Sequence, residues 1–178
     1  MSNGTDNLAN LLKTEQLDRL LFRGVTPQEN ELPRVFGGQV LAQSLNSAIR
    51  TVPEDRFMHS LHAYFLRPGD ISRPIIFEVD PIRDGGSFTT RRAVAKQDGK
   101  AIFNTSISFK KPENGLEHQT DMDNIPRPDS LKDDSDRIKA FIEDNPDYRK
   151  PPIADAFQTF EFRTNGDLPS LRQGTAPP

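Results

Sequence analysis

The chain contains no cysteine, which excludes disulfides, thiolate metal sites and a cysteine nucleophile. Only three histidines are available for imidazole chemistry. No apolar run approaches the roughly 18 residues that a membrane helix needs, and the first ten residues lack the basic start and apolar core of a signal peptide. A soluble, cytoplasmic protein is therefore expected. There is no cationic surplus either: 23 Lys and Arg stand against 26 Asp and Glu, a formal charge of −3. That balance excludes a generally basic nucleic-acid binder. Internal repeats are absent, as are the GxGxxG and Walker patterns of nucleotide-binding loops. Neither a metal nor a cofactor is expected.

What is present is divided unevenly over the 178 residues. Up to Lys111 there are 15 basic and 12 acidic residues, and beyond it 8 and 14. Nine of the 15 prolines also lie beyond Lys111. Pro112 to Ser130 has almost no apolar periodicity and reads as loop or linker. Three parts are expected: a domain over residues 1–111, a Pro- and Asp-rich linker with a short helix over 112–152, and over 153–178 the first strand of a further domain with a tail. The linker helix is placed between Ser130 and Asp144, on Leu131, Ile138, Phe141 and Ile142, and ended near Pro146.

Within the first part, Leu8, Leu11, Leu12, Leu17, Leu20 and Leu21 recur at roughly helical spacing and predict a short helix or two. Val40, Leu41, Leu45, Ala48, Ile49 and Val52 mark one face of a longer helix, ended by Pro53. Alternation then predicts four strands, Phe57–Leu66, Ile75–Ile82, Phe88–Gln97 and Ala101–Phe109. Asp98-Gly99 is the favoured pair for a two-residue type I′ turn and sets the last two strands antiparallel. Turns at Arg67-Pro-Gly-Asp and Arg83-Asp-Gly-Gly-Ser suggest an antiparallel meander. The expected architecture is α+β, an antiparallel sheet wrapped around one long central helix, which is the hotdog arrangement.

The segments FGGQVLAQSL, HSLHAYFLRPGD, RDGGSFTTRR and GKAIFNTSISF resemble, in order and spacing, the amino-terminal half of the type II acyl-CoA thioesterases. The resemblance covers about Leu8 to Pro128. It implies a tandem double hotdog, hydrolysis of acyl-CoA to a free acid and CoA, and ADAFQTFEFR (Ala154–Arg163) as the first strand of the second half. It also implies that the family's catalytic Asp, hydroxyl residue and Gln belong to that second half, so that none of these 178 residues corresponds to them. The expectation is therefore a piece of a longer hydrolase. The alternative is a non-catalytic acyl-CoA-binding or assembly module.

Five positions or groups carry the candidate chemistry. Gly37, Gly38 and Gln39 open the central helix, where uncovered amides and the helix dipole could stabilise a thioester oxyanion; close helix–sheet packing explains the two glycines equally well. Gln39 could bind substrate or hydrogen-bond a neighbouring strand. His59 shares parity with Phe57, Leu61, Ala63 and Phe65 and is expected to face the core or a pocket, with His62 on the opposite face. A structural role for His59 competes with that of a general base, and the resemblance puts it at the first histidine of the family's HSxH segment. Arg83 and Arg91, flanking Gly85-Gly86-Ser87, are read as a solvated patch able to hold CoA phosphates, with Ser87 beside them; a purely solubilising role remains open. Association into a homo-oligomer through sheet edges is expected.

Overall fold

The computed structural model describes residues 4–25, 34–122, 125–147 and 160–168. The chain forms two compact units, Met1–Gly115 and Leu116–Pro178. The first unit runs α1 (Gly4–Leu12), β1 (Glu15–Asp18), β2 (Leu21–Gly24), α2 (Gly37–Ile49), β3 (Phe57–Phe65), β4 (Ile75–Asp84), β5 (Phe88–Gln97) and β6 (Lys100–Lys110). All six strands join one antiparallel sheet in the order β1-β2-β4-β5-β6-β3. The sheet packs around α2, giving the α+β hotdog arrangement expected from the sequence.

The Asp98-Gly99 turn has positive φ at both residues, 49° and 72°, as a type I′ turn demands. Elsewhere the structure differs from expectation. The leucine-rich opening gives one helix, within the one or two expected, but its later leucines fall in a hairpin. Phe22 is fully buried and pairs with Phe77 across β2 and β4, while Leu17 stands exposed. Burial of that one aromatic, about 1.5–3 kcal/mol, favours a strand over the weak helical periodicity. The meander is also interrupted. β4, β5 and β6 follow one another, but β3 crosses over and pairs with β6, so the segment after Phe65 has to traverse one end of the sheet.

Inward-facing Phe77, Ala93, Ala95, Phe103, Ile107 and Phe109 form the floor of the core beneath α2. The buried face of α2 coincides only in part with the apolar stripe read from spacing, of which Val40 and Ala48 are buried and Leu41, Leu45 and Val52 pack partly buried against the core. It comprises Gln39, Val40, Gln43, Ser44, Ser47 and Ala48, whereas Ile49 is exposed. Two of the polar members find partners in the amino-terminal segment: Gln43 Nε2 donates to the Leu11 carbonyl at 2.7 Å, and Ser47 Oγ to Thr14 Oγ1 at 3.3 Å. Arg50, just past the helix, donates to the Thr14 carbonyl at 2.7 Å. Segment α1–β1 is thus tied to α2 by hydrogen bonds.

In the second unit, α3 (Asp134–Asp144) begins at Asp133, whose carboxylate accepts from the Ser135 amide at 2.7 Å. Of the expected strand Ala154–Arg163, residues 154–159 lie outside the described residues, and 160–163 form no strand. Instead Thr164 and Phe162 bind the start of α3: Asp134 accepts from the Thr164 amide at 2.9 Å and its hydroxyl at 2.6 Å, and the Asp134 amide donates to Phe162. No described helix is long and apolar enough to cross a membrane.

Candidate active site

At the amino-terminal end of α2 lies a cleft of about 340 Å³. Val40, Phe65, Leu66, Ile102 and Phe103 give it apolar walls, and Gly37 and Gly69 bring bare backbone to its surface. Arg34 and Arg67 are its charged lining residues, both exposed. The Phe36 side chain at the N-cap makes no capping hydrogen bond, while its carbonyl accepts from the Gln39 amide at 3.1 Å and the Val40 amide at 3.3 Å. The amides of Gly37 and Gly38 form no backbone hydrogen bond among the described residues, as expected for the first turn of a helix. Gly37 lines the cleft. A Cβ there would stand 2.9 Å from Cε1 of the exposed Phe65 ring, so a larger residue requires that ring to move. At Gly38 a Cβ would stand 2.5 Å from Phe36 Cε1.

Gln39 turns inward. It is buried and its Nε2 donates to the carbonyl of Val25, one residue past β2, at 3.3 Å.

The other candidates gather at the opposite end of α2, a helix of 13 residues and hence roughly 20 Å long. His59 is the unpaired extra residue of a β-bulge between Met58 and Ser60. The bulge reverses its parity, so His59 is exposed on the outer face of the sheet and not in the core. Its Nε2 lies 2.8 Å from Ser108 Oγ, and its ring meets Phe88 edge-on at 5.7 Å. His62, opposite Ser106, is exposed as well; the two histidines share a face despite their odd separation. His59 precedes the cleft residue Phe65 by six positions, about 20 Å along a strand.

Arg91 is 2 % exposed, contrary to the solvated placement expected. Parity sends it to the inner face of β5, beneath the end of α2. Its Nε donates to Thr51 Oγ1 (3.0 Å), Nη1 to the Arg83 and Thr90 carbonyls (3.3 and 3.1 Å), and Nη2 to the Thr51 carbonyl and Asp84 Oδ1 (2.9 and 2.7 Å). All five guanidinium N–H groups are engaged within the fold. Arg83 and Ser87 are exposed. The intervening loop is held by Arg56, whose Nη2 donates to the Gly85 and Gly86 carbonyls at 3.1 and 2.9 Å. The Ser87 carbonyl accepts from the Lys111 amide at 3.1 Å.

Spacing thus identified the helix start but not the cleft. Arg34 and Phe65 carried no sequence signal of their own, and Arg67 figured only in the turn Arg67-Pro-Gly-Asp. Among the described residues no three His, Asp or Glu converge as a metal site would require.

Residues 26–110 match the family described as the acyl-CoA thioesterase N-terminal domain. Over 164 residues the chain is 41% identical to acyl-CoA thioesterase 2 of Haemophilus influenzae, covering 92% of this chain and 57% of that protein. The chain belongs to the acyl-CoA thioesterase family. The crystal structure of acyl-CoA thioesterase II TesB2 from Mycobacterium marinum superimposes with a TM-score of 0.64 at 45% identity, over 73% of this chain and 49% of that one. A protein from Alicyclobacillus acidocaldarius described as having a hot dog fold, 21% identical, aligns at 0.60 over 71% of this chain and 48% of its own, which bears on the fold alone. The chain spans about half the length of the relatives it matches.

Proposed function

We propose that this domain supplies the acyl-binding and carbonyl-polarising part of an enzyme that hydrolyses acyl-CoA to a free acid and CoA. The observation that carries the reading is the start of α2, where Gly37 opens onto an apolar cleft beside Arg34 and Arg67. In hydrolysis, water adds to the thioester carbonyl, the oxygen becomes an oxyanion, and the C–S bond breaks as CoA leaves as the thiolate. Amides at the positive end of a helix dipole stabilise that oxyanion without reorganising. The apolar walls suit the acyl chain, and exposed arginines suit the phosphates of CoA.

The cleft residues include no carboxylate and no imidazole. The group that takes the proton from water is accordingly assigned to a partner domain. We place that domain along β3, the end strand of the sheet, where Phe57, Met58, Tyr64 and Phe65 are exposed and a further strand could pair. Arg83 and Ser87 stay candidates for phosphate at the far end of α2; Arg91 is assigned to holding the fold, and His59 is assigned no proton transfer in the cleft. The cytoplasm is the compartment proposed. Calorimetric titration of octanoyl-CoA into the wild type and an Arg34→Ala/Arg67→Ala double variant tests this reading. Binding that weakens in the variant is expected, and unchanged affinity would contradict it.

A further inference from the structure

The crossover that follows β3 forms part of the cleft through Arg67, Pro68 and Gly69, and a side chain outside the cleft fixes its path. Gln97, the last residue of β5, is only 7 % exposed. Its Oε1 accepts from the Asp70 amide at 2.8 Å, while its Nε2 donates to the Asp70 carbonyl at 2.8 Å and the Arg73 carbonyl at 3.0 Å. One amide thus satisfies three backbone groups of a segment that belongs to no strand or helix. The residue before Asp70 passes the restraint on. The Gly69 carbonyl accepts from the Val35 amide at 2.9 Å, and the Val35 side chain packs so close that a Cβ on Gly69 would stand 3.0 Å from its Cγ2. Val35 is two residues before Gly37. The chain enters α2 through Phe36 alone, with no side-chain cap of its own to fix the entry.

We propose that Gln97 is a positioning residue for the thioester site: through Asp70, Gly69 and Val35 it sets where the first amides of α2 stand. The inference deepens the function proposed above and, in its catalytic consequence, rests on it. The amide is the chemistry required, because Gln97 must accept and donate at once. Glutamate keeps the acceptor for Asp70 but lacks both donated bonds, and methionine keeps the length but lacks all three. Displacement of a polarising group by about 1 Å can reduce rate by up to two orders of magnitude, so a small relaxation of the crossover is felt at the carbonyl.

Wild type, Gln97→Glu and Gln97→Met are compared by two NMR readouts. The first is hydrogen exchange of the Val35 amide and the resonance position of the Gly37 amide, without ligand. The second is the carbonyl ¹³C shift of bound octanoyl-CoA labelled at C1. In Gln97→Met the Val35 amide should exchange at least roughly tenfold faster than in wild type, the Gly37 resonance should move, and the bound carbonyl should shift toward its free value. Gln97→Glu, which retains one bond, should fall between. Core amides such as those of Phe103 and Ile107 should keep their protection, which separates local release from general destabilisation. Should Gln97→Met not fold, the Glu variant gives the same comparison. Unchanged Val35 exchange and Gly37 resonance would overturn the proposal. If wild-type protein fails to bind octanoyl-CoA, the functional reading falls, and the ligand-free readouts still decide whether Gln97 positions the helix start.

Discussion

Arg91 and Thr51 are joined twice, by Nε to the threonine hydroxyl at 3.0 Å and by Nη2 to its carbonyl at 2.9 Å. Thr51 follows the carboxy-terminal end of α2, so this pair binds the central helix to the sheet. Hydrogen bonds to charged groups contribute about 1.5–3 kcal/mol each, and removing the guanidinium leaves buried acceptors behind. Arg91→Ala should lower unfolding stability by about 3 kcal/mol in urea melts. Arg83→Ala, at an exposed position, should stay within about 0.5 kcal/mol of wild type. Equal effects would remove the distinction between the two arginines.

Gly37→Ala separates packing from polarisation. The obstructing atoms belong to Phe65, an exposed ring that can swing aside, and alanine favours a helix over glycine by about 1 kcal/mol. Stability should therefore change by less than about 1 kcal/mol in either direction. Octanoyl-CoA affinity, measured by calorimetry, should fall, because the methyl group and the displaced ring both intrude on the cleft. Retained affinity would give Gly37 a packing role only.

The parts of the fold legible in sequence were those set by local rules. Alternation placed β3 to β6, and Asp98-Gly99 carried its turn type in its residue identities. What was illegible depended on partners distant in sequence. Leu17, Leu20 and Leu21 mimic a helix, and only the pairing of Phe22 with Phe77 makes that segment a hairpin. Parity counting misplaced His59 because one bulge residue inverts a strand's faces. Nothing local in β5 tells that α2 covers the face that carries Arg91. The cleft is assembled from the helix start and the crossover after β3, so Phe65 and Arg67 acquire meaning only once β3 is known to lie beside β6.

The second unit should be sensitive to acid. Burial raises the pKa of Asp134, but hydrogen bonds from the Thr164 hydroxyl and amide, with the Arg137 guanidinium, outweigh it and hold the carboxyl below its ordinary value of 3.8. A lowered folded-state pKa means the contribution is fully present above that ordinary value and is lost as pH falls through the lowered one. The Thr164 amide should thus lose hydrogen-exchange protection below about pH 3.8, and Asp134→Asn should weaken it at neutral pH. Protection that stays constant with pH would show that this carboxylate does not hold the 162–164 segment.

Exposed apolar side chains on the end strand β3 should make the protein associate. Sedimentation velocity at micromolar concentration should show a dimer, shifted toward monomer by Tyr64→Glu, a position 70 % exposed, because charge on an end strand opposes pairing. A wild-type monomer would contradict the proposed use of this edge.

Binding of octanoyl-CoA labelled with ¹³C at its carbonyl, followed by NMR on the 178-residue protein, tests the central claim most directly. Saturable binding with a downfield carbonyl shift, lost in Gly37→Ala and weakened in the Arg34→Ala/Arg67→Ala variant, is expected, with hydrolysis slow because no base lines the cleft. Binding with an unshifted carbonyl, or binding untouched by these variants, would contradict a polarising site at the start of α2.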